Sequence, residues 1–283
     1  MTRFRSVAVG VLALAVVGLA AACTPATPGG RSVTFKADSV TVNDSQDETC
    51  VLGICANRSD EPYVFNIAFR VKIGVPNSAS AYLVGNRSNA VNSLSAGQSA
   101  TLTGDQQAAV NFGGITGLDV TDLLNADNHL EVVGVYTWAN EEDTVPIGEA
   151  ATGTAAILKD ALNATLATAD LSNFDASAIV NLIFDNLGSA FGVLAGNIPL
   201  FGLGDDNLGG AIYVGIGAQG TLGDLINQVA AGFTIPTINI PIVDLPPDIN
   251  GGGLFTLNGN KTFTQSFSGA GGRHTYQFSA TPA

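Results

Sequence analysis

Carboxylates gather in three short stretches of this chain. Asp44, Asp47 and Glu48 lead to Asp60 and Glu61. Glu141, Glu142 and Asp143 form a second group, and Asp205 and Asp206 a third. Each group stands beside a segment that reads as a β-strand, so each belongs to a loop at a strand end. Hard divalent cations take about six to eight oxygens from Asp, Glu and backbone carbonyls. If the loops share one end of a sandwich, Asp47, Asp60, Glu61, Glu142, Asp143, Asp205 and Asp206 are the candidate ligands, and calcium is the expected ion. Paired carboxylates can also act as general acid and base, so a secreted hydrolase with an acidic active site is the alternative. Nucleophilic catalysis finds little support. The chain has no Gly-x-Ser-x-Gly elbow and no phosphate-binding loop. His129 and His274 have no acidic or nucleophilic neighbour at a telling spacing, and both read as polar surface or turn residues.

The cysteines divide by position. Arg3 and Arg5 precede an uncharged apolar run, Val7 to Ala22, which is too short for a comfortable membrane span and ends in "LAAAC". Small residues ahead of a cysteine resemble a bacterial lipobox. Residues 1–22 are then a lipoprotein signal peptide, Cys23 is the lipidated residue, and residues 23–32 are a tether. Ordinary Ala-x-Ala cleavage or an uncleaved anchor is the competing reading of the same residues. The expected location is the extracytoplasmic face of a bacterial cell membrane. Cys50 and Cys55 remain as an even pair in an oxidising compartment, which favours a disulfide over ligation by two thiolates.

Charge narrows the partners. The 24 acidic residues all follow Cys23, whereas Arg3 and Arg5 take two of the 11 basic residues into the leader. Between Asp160 and Asn260 there is no Lys or Arg. Such a surface repels phosphate backbones, so nucleic acid is excluded as a partner.

The elements that must position these groups are mostly strands. "SVTFKADSVTV" places Val33, Phe35 and Ala37 on one face. Tyr63, Phe65, Ile67, Phe69, Val71 and Ile73 alternate with residues that include Asn66, Arg70 and Lys72, which predicts one face on a core and one in water. Further strands are expected at "AYLVG", "QSATLTG", "HLEVVGVYTWA" and "GDDNLGGAIYVGIGA". From about Ile147 the period becomes helical. Ile157, Ala161, Leu162 and Leu166 form one stripe. Asp175 reads as an N-cap for a second helix carrying Ile179, Leu182, Ile183 and Leu187, with Gly188 as its end. A short helix is expected over Leu222 to Ala231.

"SDEPYVFNIAF" resembles the strand entry of C2 domains, the calcium-dependent lipid-binding β-sandwiches. "VVGVYTWANEED" is similar to the strand and acidic loop of that family, with Glu141, Glu142 and Asp143 where the family reads Asp-x-Asp. "GDDNLGGAIYVGI" is similar to the close of the same loop. The resemblance covers about 50 residues in three pieces and implies a mainly β fold: an antiparallel C2-like sandwich over residues 33–283, with a helical insertion at about 147–203. The expected function is an exported, lipid-anchored cell-envelope binding module with an unidentified envelope or extracellular partner, organised by calcium and without catalysis. A membrane-interacting, toxin-like use of the apolar insertion is a further alternative; it requires Phe191, Leu194, Leu200 and Phe201 to form an exposed patch.

The anchor is directly testable. Replacing Cys23 with Ser should move the protein from the membrane fraction to the soluble fraction; a variant that stays membrane-bound after maturation contradicts lipidation at Cys23.

Overall fold

The computed structural model describes residues 30–45, 49–51, 54–56, 59–85, 87–142, 148–172, 175–195, 206–235, 238–239, 248–269 and 272–283. In chain order the elements are β1 (Gly30–Asp44), β2 (Thr49–Val51), β3 (Ile54–Ala56), β4 (Ser59–Asp60), β5 (Pro62–Lys72), β6 (Ser80–Val84), β7 (Leu94–Ser95), β8 (Ser99–Thr101), β9 (Val110–Thr116), β10 (Glu131–Glu141), α1 (Gly148–Ala164), α2 (Ala176–Ala195), β11 (Asp206–Ile216), α3 (Gly220–Gly232), β12 (Ile238–Asn239), β13 (Asp248–Thr256), β14 (Lys261–Gly269) and β15 (Gly272–Pro282). The fold is mainly β, with α1 and α2 inserted between β10 and β11.

Two sheets face each other. One runs β14-β15-β1, and β1 then pairs with β9 near its start and β8 further along. The other runs β12-β13-β11-β10-β5-β6. Pairing is antiparallel except between β11 and β13. That parallel pair is irregular at Gly210/Ile212, and opposite it Gly252 has φ +127° with no room for a Cβ against the Ile212 carbonyl.

The central strands β5, β10 and β11 of the six-stranded sheet are buried on both faces. Tyr63, Phe65, Ile67, Phe69 and Val71 of β5 join Tyr136 and Trp138 of β10 and Ile212 and Val214 of β11 in a core against the helices. The intervening residues Val64, Ala68, Val133, Val135, Ala211 and Tyr213 form a second core with Val33, Phe35, Tyr276 and Phe278 of the facing sheet. The even face of β5 was expected in water. Instead the pairing of β1 with β15 covers most of it, and only its Arg70–Lys72 end stays partly exposed. Asn66 is fully buried there, accepting from Thr137 Oγ1 at 2.7 Å and donating to the Ala108 carbonyl at 2.7 Å. Phe35 stacks on Phe278 at 5.6 Å and meets Tyr213 at 4.8 Å, joining the sheets through ring contacts.

The helices supply the third layer. Asp175 caps α2 by accepting from the backbone N–H groups of Ser177 and Ala178, at 2.9 and 3.2 Å. Gly188 does not end this helix, which continues to Ala195 because Ala190 and Phe191 extend its buried stripe. Phe191 meets Tyr136 edge-on at 5.3 Å and is fully buried, which removes it from the exposed patch that a toxin-like insertion requires. The side chains of Leu194, Leu200 and Phe201 lie outside the described residues. Ala176–Val193 is long and apolar enough to cross a membrane, but its Ile179, Val180, Ile183 and Leu187 are core residues.

Helix α3 takes a cap from a distant loop. Asp119 Oδ1 accepts from the N–H of Leu222 at 2.9 Å and of Val120 at 2.7 Å. These hydrogen bonds hold its carboxyl below the usual range, Leu222 first and Val120 second, against an opposing effect of burial. Replacing Asp119 with Ala should therefore cost about 1 kcal/mol at neutral pH, by analogy with other helix-capping carboxylates. The contribution is fully present above the unfolded-state pKa of about 3.9. It fades as pH falls through the lower folded-state value. Urea melts of both proteins at pH 7 and pH 3 should show the difference shrinking in acid.

Candidate functional site

The described residues that flank the acidic loops come together. In the six-stranded sheet Glu141 is the register partner of Pro62 on one side and of Asp206 on the other. Asp60, Glu61, Glu141, Glu142 and the backbone of Asp206 therefore share one end of the sandwich. The last residue of β1, Asp44, reaches the same end opposite Arg273 of β15.

Hydrogen bonds tie this end together. Asp60 is fully buried. Its Oδ1 accepts from Ser45 Oγ at 2.6 Å, and its Oδ2 lies 2.7 Å from His274 Nε2. Glu141, also fully buried, accepts the N–H of Glu61 on Oε1 at 3.3 Å. Glu61 Oε1 accepts from Ser93 Oγ at 2.7 Å, and the Glu61 carbonyl accepts the N–H of Glu142 at 3.2 Å. Tyr276 lies two residues beyond His274 on the same buried face of β15. Burial first, and the charge of Asp60 second, push its phenol well above the usual range.

His274 is thus neither a surface nor a turn residue. It sits in a strand whose inward positions continue through Tyr276, Phe278 and Ala280. The alternation of those three residues is the signal that could have placed it inside. Its acidic partner is 214 positions away, and no local spacing could have named it. Glu141, Ser45 and Ser93 are the other residues of this end absent from the expected ligand set.

The order of groups matters chemically. A serine hydrolase needs its imidazole between the hydroxyl and the carboxylate. Here Asp60 stands between Ser45 and His274, so the imidazole is not set to take the hydroxyl proton. Both oxygens of Asp60 are occupied by side chains, which argues against its use as a metal ligand. Among the described residues, no three His, Cys, Asp or Glu side chains stand close enough to hold a metal ion. Asp47, Asp143 and Asp205 lie outside the described residues, as do Cys23 and the side chain of Asp206. Cys50 and Cys55 are register partners in the β2–β3 ladder, with their side chains outside the described set.

Clefts lined by described residues include the following two. One, of about 450 Å³, lies among Phe233, Ile235, Gly252, Lys261, Phe263 and Gln265. The other, of about 560 Å³, lies among Ile73, Leu123, Leu124, Leu130, His129 and Leu171. Neither is lined by Asp60 or His274. Comparison with protein-family profiles, curated proteins and solved structures finds no match to this chain.

The burial of His274 has a chemical consequence. Diethyl pyrocarbonate at neutral pH should modify the half-buried His129 well ahead of His274, read by peptide mass mapping. Equal early modification of both contradicts a closed Asp60–His274 pair.

Proposed function

We propose that this chain is an exported, lipid-anchored module that binds at the cell envelope without catalysis, using its acidic end as the recognition face. The observation that carries this is the gathering of Asp60, Glu61, Glu141, Glu142 and Asp206 at one end of the six-stranded sheet. Asp60 and Glu141 are buried and hold the end in shape, while Glu61 and Glu142 stand nearer its rim. A rim of carboxylates attracts cationic groups and sets encounter rate and specificity more than raw affinity. Calcium belongs to this proposal as a competing or bridging cation, held by Glu61, Glu142 and the acidic residues beside them. The Ser45–Asp60–His274 order weighs against the hydrolase alternative.

A lysine-rich decapeptide titrated calorimetrically at low salt tests the recognition face. The variant Glu61→Gln/Glu142→Gln should bind about fivefold more weakly, the loss of roughly 1 kcal/mol from rim charge pairs. Asp122→Asn/Asp127→Asn, which removes two charges from the loop before β10, should bind within about twofold of the wild type. Equal losses in the two variants would show that net charge alone, and not this end, attracts the peptide. Millimolar calcium should compete in the wild type.

A further inference from the structure

The registers give the molecule two chemically different ends, and the sequence fixes which one the anchor reaches. At the start of β1, Gly30 pairs with Thr116, and Val33 pairs with Pro282 near the C-terminus. The N–H of Thr116 reaches Glu131 Oε2 at 3.4 Å, and the N–H of Gly217 reaches the Glu131 carbonyl at 2.7 Å. The beginnings of β1 and β10 and the end of β11 therefore stand together. The acidic groups lie at the opposite end, ten residue steps along β10 from Glu131 to Glu141. At ~3.3 Å per step that separation is roughly 33 Å.

Seven residue steps separate Cys23 from Gly30. Fully extended, they span at most about 25 Å. A chain anchored at Cys23 thus keeps the Gly30 end within reach of the bilayer surface, by a tether shorter than the sheet is long.

That end carries exposed apolar side chains among polar ones. The loop from Gly117 to Leu130 joins β9 to β10 there. Its Leu124 is 76% exposed and its Val120 is 37% exposed, the first being the most exposed large apolar side chain among the described residues. Beside Leu124 a cleft of about 560 Å³ opens, with Ile73, Leu123, Leu130 and Leu171 on its apolar side and Asn128, His129 and Asp170 on its polar side. Asp119 and Asp122 belong to the same loop but are turned into local hydrogen bonds, with Leu222 and with the N–H of Asp119. Asp127 adds a further negative charge. Electrostatic capture by anionic lipid is disfavoured at this tip, so contact must come from apolar insertion at the high local concentration that a short tether supplies.

We infer that the β9–β10 loop, led by Leu124 and Val120, rests in the surface of the membrane that holds the anchor, and that the acidic end points away from it. The inference rests on the lipid-anchored reading above.

The test uses the oxidatively folded mature chain coupled through Cys23 to a maleimide lipid in phosphatidylcholine vesicles. Tryptophan is introduced singly at Leu124→Trp or at the exposed Arg273→Trp, with the buried Trp138 as a common background. Brominated phosphatidylcholine should quench the added emission of Leu124→Trp by half or more and shift it to the blue, leaving that of Arg273→Trp within about a tenth of its unquenched value. Uncoupled Cys23→Ser protein should show neither change. Quenching at position 273 equal to or above that at 124 overturns the orientation. Separately, mass analysis of the protein from its own membranes should find acylated Cys23; an unmodified Cys23 overturns the anchoring reading itself, whichever way the vesicle experiment falls.

Discussion

One buried contact joins the beginning of this domain to its end. His274 in β15 meets Asp60 at the close of β4, and both side chains are withdrawn from solvent. A buried polar pair is costly to assemble and costlier to break, because removing one partner strands the other away from water. The contact is made only when the two sheets are stacked in the correct register. It therefore ties β15 of one sheet to the segment that leads into β5 of the other. At the other end of the sandwich Arg70 plays a similar part. It pairs with the buried carboxylate of Glu131 and donates to the carbonyls of Gly113 and Gly114 on the facing sheet.

Between these two polar clamps, apart from the buried Asn66–Thr137 pair, the packing is apolar and double-sided. The central strands of the six-stranded sheet have side chains on both faces in buried cores, so the inserted helices and the facing sheet each cover what the other leaves open. This explains why a helical insertion is tolerated between β10 and β11: its apolar stripe has a sheet face waiting for it. It also explains the division of charge. With both faces covered, surface carboxylates are displaced to loops and strand ends. Those at one end are pulled into order by Asp60 and Glu141, and those before β10 are used to cap turns and helix α3.

Local pattern carried much of the fold. Alternation over Tyr63 to Ile73 and over Ile212 to Ile216 placed central strands, the change of period after Ile147 placed the helices, and Asp175 marked a cap. What failed was non-local. Whether Asn66 faces water depends on a sheet built from residues 30–44 and 272–282, which the pattern of β5 cannot report. β9 shows little strand pattern because "VNFGGIT" has two glycines where a strand would show side chains; those glycines expose the carbonyls that Arg70 binds. Of the candidate site, the placing of the acidic groups at strand ends was legible, and which strand ends share a face was not. The loss of Asp60 to an imidazole more than two hundred residues away was not.

A double-mutant cycle on Asp60 and His274 tests most directly whether this contact holds the sheets together. Asp60→Asn, His274→Gln and the double variant would be unfolded in urea at pH 7, with the slope checked for two-state behaviour. A coupling energy of about 2 kcal/mol or more is expected for a buried, geometrically specific pair. Single variants that each cost under about 0.5 kcal/mol and add without coupling would contradict it, since that is the behaviour of solvated surface residues.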